Sequence, residues 1–121
     1  MELCELSECC LAAWCEPDRV CRQQILERIW DEDGTYTDPT VHVAGRRGLI
    51  DHIGGFFEQF PGARIEPASE IDSHYRKIRF NWRMVLADGK VFLEGFDFGG
   101  LITDGKLRQI VGFFGPLAAK P

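Results

Sequence analysis

No apolar run in this 121-residue chain exceeds a few residues, so no helical segment can span a bilayer. Basic residues are scarce: 14 Lys and Arg stand against 19 Asp and Glu, for a net charge of −5. Phosphate-backbone binders need concentrated cations, and Tyr75-Arg76-Lys77 with Arg46-Arg47 do not make a patch, which excludes nucleic acid as the expected partner. The five cysteines, at 4, 9, 10, 15 and 21, form no Cys-x-x-Cys pair and have no histidine near them, so metal-site spacing is missing. They read as small apolar helix residues. A phosphate-binding loop, a dinucleotide glycine fingerprint and any readable Ser-His-Asp or Cys-His arrangement are absent too, and no cofactor or metal is expected. The start, Met1-Glu2-Leu3-Cys4-Glu5, lacks the basic region and apolar run of a signal peptide, and neither it nor the rest of the chain suggests a membrane partner. The expected compartment is the cytoplasm.

What the chain does have is core material: 45% apolar and 12% aromatic residues, enough for one domain over 1–121. Helical periodicity comes first and strand alternation afterwards, the order of an α+β fold. Leu3, Leu6, Cys10, Ala13 and Trp14 make one stripe of a helix over 3–14. Pro17 suits the first turn of a second helix reaching about Asp31, with Cys21, Ile25 and Ile29 on one face and Asp33-Gly34 as its stop. A short strand over 35–38 ends at Pro39, and 40–45 reads as loop. A third helix from Arg46 points Leu49, Ile53, Phe56, Phe57 and Phe60 inward and closes at Pro61-Gly62. Strands are expected over 63–72, 76–87, 91–102 and 107–115, the last three joined by Asp88-Gly89 and Asp104-Gly105 turns into an antiparallel meander.

Two aspartates carry the chemical signal. Asp97 lies mid-strand, sharing a face with Val91, Leu93 and Gly95, where a carboxylate is costly unless protonated, hydrogen-bonded or useful. Its plain alternative is a structural Asp bonding a bulge. Asp38 shares a face with Tyr36 and precedes Pro39, placing it either at a pocket mouth or simply at the start of a turn. His42 reads as a loop residue or a rim base, His52 as a half-exposed helix residue, and His74 as a turn flank. Trp14, Trp30 and Trp82 serve a core or the wall of an apolar site.

The spacing Trp30-x-x-Asp33-Gly34-x-Tyr36-x-Asp38-Pro39, followed by Gly45-Arg46, resembles the nuclear transport factor 2-like superfamily. Gly95-Phe96-Asp97-Phe98 and Asp104 through Gly115 fit the same pattern, closest to its SnoaL-like and ketosteroid-isomerase-like branches. The resemblance implies a cone-shaped roll: three helices on a strongly curved, mostly antiparallel sheet around an apolar pocket, often in a homodimer. In the isomerase branch an Asp of an Asp-Pro step is the proton-shuttling base and a protonated Asp on the penultimate strand serves the oxyanion hole. Asp38 and Asp97 match those positions, a pairing for which ketosteroid isomerase is the standing example. Where that branch places an oxyanion-hole tyrosine on the first helix, this chain has Cys10, a weak donor, which counts against steroid isomerisation itself.

The implied pocket is walled by Cys10 and Trp14, by Trp30 and Tyr36, and by Ile53 and Phe56. Trp82 and, on the last strand, Ile110 and Phe114 complete it, with His42 at the rim. Phe92, Phe96, Phe98, Val111 and Phe113 make a second apolar face suited to a homodimer. The implied function is isomerisation, cyclisation or dehydration of a small apolar or aromatic substrate, with Asp38 as base and Asp97 as acid or oxyanion donor. A non-catalytic binding module and a protein-interaction domain of the same fold remain the alternatives.

Overall fold

A computed structural model describes the backbone of residues 3–121 and the side chains apart from Leu3, Cys4 and Ser7. The stripe position expected for Leu3 therefore lies outside the described residues. Helices α1 (Leu3–Ala13), α2 (Arg19–Ile29) and α3 (Arg46–Gln59) pack on a sheet of seven strands. These are β1 (Trp30–Asp38), β2 (Val41–Ala44), β3 (Arg64–Pro67), β4 (Asp72–His74), β5 (Lys77–Val85), β6 (Val91–Leu101) and β7 (Leu107–Phe114). The strand order is β2-β1-β7-β6-β5-β3, with β4 also on β5, and every pairing is antiparallel except β1 with β7. The sheet is curved and unclosed, and the α+β cone expected from the sequence is the fold observed. None of the described helices is long and apolar enough to cross a membrane.

Several boundaries differ, each for a local reason. The second helix stops at Ile29, because Trp30 is already extended (φ −117°, ψ 127°), and Asp33-Gly34 lies inside β1 instead of ending the helix. Gly34 is there for space: a Cβ would sit 2.6 Å from Trp30 Nε1. Arg46 donates from Nε and Nη2 to the Trp30 carbonyl (3.2 and 2.7 Å), and Gly45 N–H donates to the Gly34 carbonyl (2.9 Å). The Trp-x-x-Asp-Gly…Gly-Arg part of the motif is thus a brace between β1 and α3. Residues 41–44, expected as loop, form β2, paired with β1 through a two-residue Pro39-Thr40 turn. The single strand expected over 63–72 is split into β3 and β4.

α2 turns a different face inward. Arg22, Leu26 and Ile29 are its buried residues, while Cys21 is exposed. Asp18 caps the helix, its side chain accepting from the Cys21 N–H, so Pro17 precedes the cap and does not occupy the first turn. Arg22 is tolerated inside because Nη1 donates to the Glu16 carbonyl at 3.0 Å and the guanidinium lies over the Phe57 ring.

Inside the cone, alternation along β5 turns Ile78, Phe80, Trp82 and Met84 toward the helices. One end of that inner surface is filled by Trp30, Leu107, Ile110 and Ile53, each at most 1% exposed. The other end is not filled.

Candidate active site

At the open end lies a cavity of about 440 Å³, partly open to solvent. That is within the size range of small-molecule sites, roughly 300–1,000 Å³. Trp14, Tyr36, Phe56, Phe60, Trp82, Phe92 and Phe114 supply its aromatic walls. Its acids are Asp38 and Asp97, its histidine is His52, and no Lys or Arg is among the described lining residues.

Sheet register brings the two acids together. Asp97 of β6 faces Gly112 of β7, while the β1–β7 pairing of Thr37 with Val111 carries Asp38 alongside the same glycine. A Cβ at Gly112 would stand 2.9 Å from Asp97 Oδ1 and 3.6 Å from Asp38 Cβ. The absence of a side chain there leaves the carboxyls facing one space across a central strand.

Asp38 is held on all sides. Its Oδ1 accepts from the Thr40 N–H (2.7 Å) and the Thr40 hydroxyl (2.6 Å), the pattern of a turn-starting Asp before Pro39. Its Oδ2 accepts from the Tyr36 hydroxyl at 2.7 Å, with His52 Nε2 at 3.8 Å, too far for a hydrogen bond but near enough for charge attraction if the ring is protonated. Oδ1 thus makes the bonds of a turn-starting Asp, and the residue is at the same time part of the cavity lining. Burial by itself would raise this carboxyl, but the nearby His52 ring and the Thr40 and Tyr36 donors outweigh it and hold it well below the usual carboxylate range. Burial, with the Asp38 charge beside it, drives the Tyr36 hydroxyl far up, so it stays a donor.

Asp97 is in the opposite condition. It is 7% exposed, and burial pushes its carboxyl up to about 7, the Trp82 N–H pulling the other way and the Asp38 charge adding to the rise. Trp82 Nε1 donates to Oδ1 at 2.9 Å, whereas Oδ2 has no hydrogen-bond partner among the described residues. Trp82 can reach because its ring lies over Gly95, its partner across the strands, where any Cβ would fall within the indole.

Of the residues expected to line the pocket, Trp14, Tyr36, Phe56, Trp82 and Phe114 do so. The other five do not. Trp30, Ile53 and Ile110 belong to the filled end. His42 is on the exposed edge strand β2, bonded to the Thr37 hydroxyl at 2.6 Å. Cys10 is buried behind the lining and does not face the cavity, and burial first and the Asp97 charge next raise its thiol, which stays protonated.

His52 is the lining group read from the sequence as an ordinary helix residue. Its signal was the four-residue step His52, Phe56, Phe60, a stripe beside the core stripe of Leu49 and Ile53. No group of three His, Cys, Asp or Glu side chains able to hold a metal occurs among the described residues.

No protein-family model and no curated protein matches this sequence. A solved structure decides the family. It is a SnoaL-like family protein from Agrobacterium tumefaciens strain C58, provisionally called an isomerase, 32% identical, covering 93% of this chain and 96% of its own with a TM-score of 0.88. The chain belongs to the SnoaL-like family. Two further structures share the fold of this SnoaL-like protein at lower identity. A ketosteroid-isomerase-like protein from Catenulispora acidiphila, solved with trimethylamine, is 11% identical over 92% of this chain and 85% of its own (TM-score 0.74). A protein from Jannaschia sp. CCS1, provisionally called a SnoaL-like polyketide cyclase, is 14% identical over 90% and 84% (TM-score 0.68).

Proposed function

We propose that this SnoaL-like protein is a cofactor-independent enzyme that moves a proton next to a carbonyl of a small, largely apolar substrate, in an isomerisation, cyclisation or dehydration. The observation that carries the reading is the unequal pair of carboxyls on one cavity wall: Asp97, whose Oδ2 has no hydrogen-bond partner among the described residues, beside Asp38, whose oxygens are committed. A proton-transfer group works best when its pKa is near the working pH, which favours Asp97 over the strongly acidic Asp38. The roles expected from the sequence are therefore reversed in this proposal. Asp97 Oδ2, charged, takes the proton from the carbon beside the carbonyl while the C–H electrons move into the enolate. The carboxylic acid so formed returns the proton to another carbon or to a leaving hydroxyl. Asp38 is a fixed charge, and His52 is a lining group with an N–H to offer the carbonyl oxygen.

The test is hydrogen–deuterium exchange at the α-carbon of a panel of small cyclic and aryl ketones in heavy water. Exchange above buffer, lost by at least about a hundredfold in Asp97→Asn, supports the reading. If no ketone exchanges with the unaltered protein, or if Asp97→Asn exchanges as fast, it fails and a binding module becomes the better description.

We also propose a homodimer through the outer sheet face. Phe98 and Phe113 are 38% and 56% exposed there, in a chain otherwise rich in surface charge. A monomeric mass in solution would remove this proposal.

A further inference from the structure

Charge and wall chemistry together narrow the ligand. We propose that the cavity takes a cationic amine, a tertiary or quaternary ammonium on a small apolar body, with the positive head between Asp38 and the rings of Trp14, Tyr36 and Phe56. The inference rests on the cavity being the substrate site, as proposed above.

The lining carries two carboxyls and no Lys or Arg among its described residues, so an anionic ligand meets repulsion with only His52, when protonated, to offset it. Arg22 and Arg46, the cations tucked against the helices, are committed to the Glu16 and Trp30 carbonyls. Asp38 contributes a different kind of attraction from a usual ligand-binding aspartate. With Oδ1 taken twice by Thr40 and Oδ2 by Tyr36, it has charge to give and little hydrogen-bonding capacity. A head group that brings charge and needs few hydrogen bonds fits that condition, and an alkylated ammonium is such a group.

An aromatic cluster lies on the same cavity wall as Asp38. The centroids of Trp14 and Tyr36 are 5.4 Å apart, and those of Trp14 and Phe56 are 5.5 Å apart. All three rings line the cavity with Asp38. Ring faces attract cations within about 6 Å, more strongly once water is excluded. The body of the ligand would then lie against apolar lining such as Met84, Leu93 and Phe114. His52 is the opposing group: protonated, it would compete for Asp38 from 3.8 Å.

The cation also suits the proposed chemistry. A positive nitrogen near the carbonyl stabilises the enolate formed when Asp97 takes the proton, in a site where the fixed negative charge of Asp38 would otherwise oppose it.

Three probes of matched shape test the inference on the unaltered protein: benzyltrimethylammonium, its neutral isostere neopentylbenzene, and phenylacetate. Binding is followed by tryptophan fluorescence at fixed pH and ionic strength. The ammonium should bind about tenfold more tightly than the neutral isostere, and phenylacetate more weakly than either. Asp38→Asn and Trp14→Leu should each erase most of the ammonium preference, read as the ratio of ammonium to neopentylbenzene affinity on the same variant. Neopentylbenzene or phenylacetate binding as well as the ammonium overturns the inference, and so does failure of all three to bind. A preference that survives in both variants overturns the placement of the head group. The ketone exchange assay is independent of these probes, so proton transfer can stand where the ligand class falls, and the reverse.

Discussion

The inner surface of the sheet has a filled end and an open end, and one tryptophan belongs to each. Trp30 is 1% exposed, packed over Gly34, and its Nε1 has no hydrogen-bond partner among the described residues. Trp82 lies over Gly95 and directs its Nε1 to Asp97. Both rings depend on a glycine for room, yet one completes a core and the other orients a carboxyl. What separates them is the company across the strands. At the filled end Gly99 is met by Ile110 and Ile78, which close over it. At the open end Gly112 is met by two carboxylate side chains, Asp97 and Asp38, in place of apolar ones.

The largest expected contrast is in stability. Leu107 is fully buried at the filled end, and Leu107→Ala should cost about 2–5 kcal/mol in urea unfolding. Phe114, half-buried on the cavity, should cost less than about 2 kcal/mol when replaced by Ala, since part of its surface already meets open space. Equal losses would mean that the open end is packed as tightly as the filled one.

Next in size is a pH effect confined to the open end. The Asp97 carboxyl titrates at about 7 in the folded chain and near 4 in the unfolded one. Because the folded value is raised, its contribution to stability is fully present below about pH 4 and is lost as pH rises through about 7. Asp38 has the opposite sign: its folded value is depressed, so its stabilisation is present above about pH 4 and lost below. Urea midpoints between pH 5 and 8 therefore report mainly on Asp97. Asp97→Asn should gain about 2–4 kcal/mol relative to the unaltered protein across that window. Parallel pH profiles for the two proteins would show that Asp97 is not perturbed as described.

The smallest effect separates the two indoles. Trp82→Phe removes the Trp82 N–H, which favours the charged form of Asp97, so the carboxyl should titrate about one unit higher, read by carbon-13 NMR. Trp30→Phe should leave that titration where it is. A shift in both variants would mean that packing, and not the hydrogen bond, sets the acidity.

The fold was largely legible because its signals are local. Alternation over residues 76–87, the Asp-Gly turns and the helical stripes each report on neighbours within a few residues, and the meander β5-β6-β7 followed. The misses came where a distant partner overrode a local cue. Asp33-Gly34 looks like a helix stop until Trp30 is seen to need Gly34 for its ring. Val41–Ala44 is too short to read as a strand without β1 beside it. Arg22 looks like a surface residue until Phe57 and the Glu16 carbonyl are placed around it.

The site divides in the same way. Asp38 and Asp97 stood out from the sequence because a carboxylate on an apolar strand face, or before a proline, is a local anomaly. His52 did not, because a histidine at a half-exposed helix position is ordinary until α3 is laid across β1. Cys10, Trp30, His42, Ile53 and Ile110 were assigned to the pocket from periodicity and resemblance, which separate inside from outside but not a packed interior from an open one.

The sequence by itself therefore determined the class of fold, the order of its strands in the meander, and the two carboxyls worth watching, since all of these depend on spacing along the chain. Only the tertiary structure decided that Asp38 and Asp97 flank Gly112 in one cavity, and that their acidities are driven in opposite directions. Those depend on register between strands far apart in sequence and on how many donors reach each oxygen, and neither quantity is written in the spacing of residues.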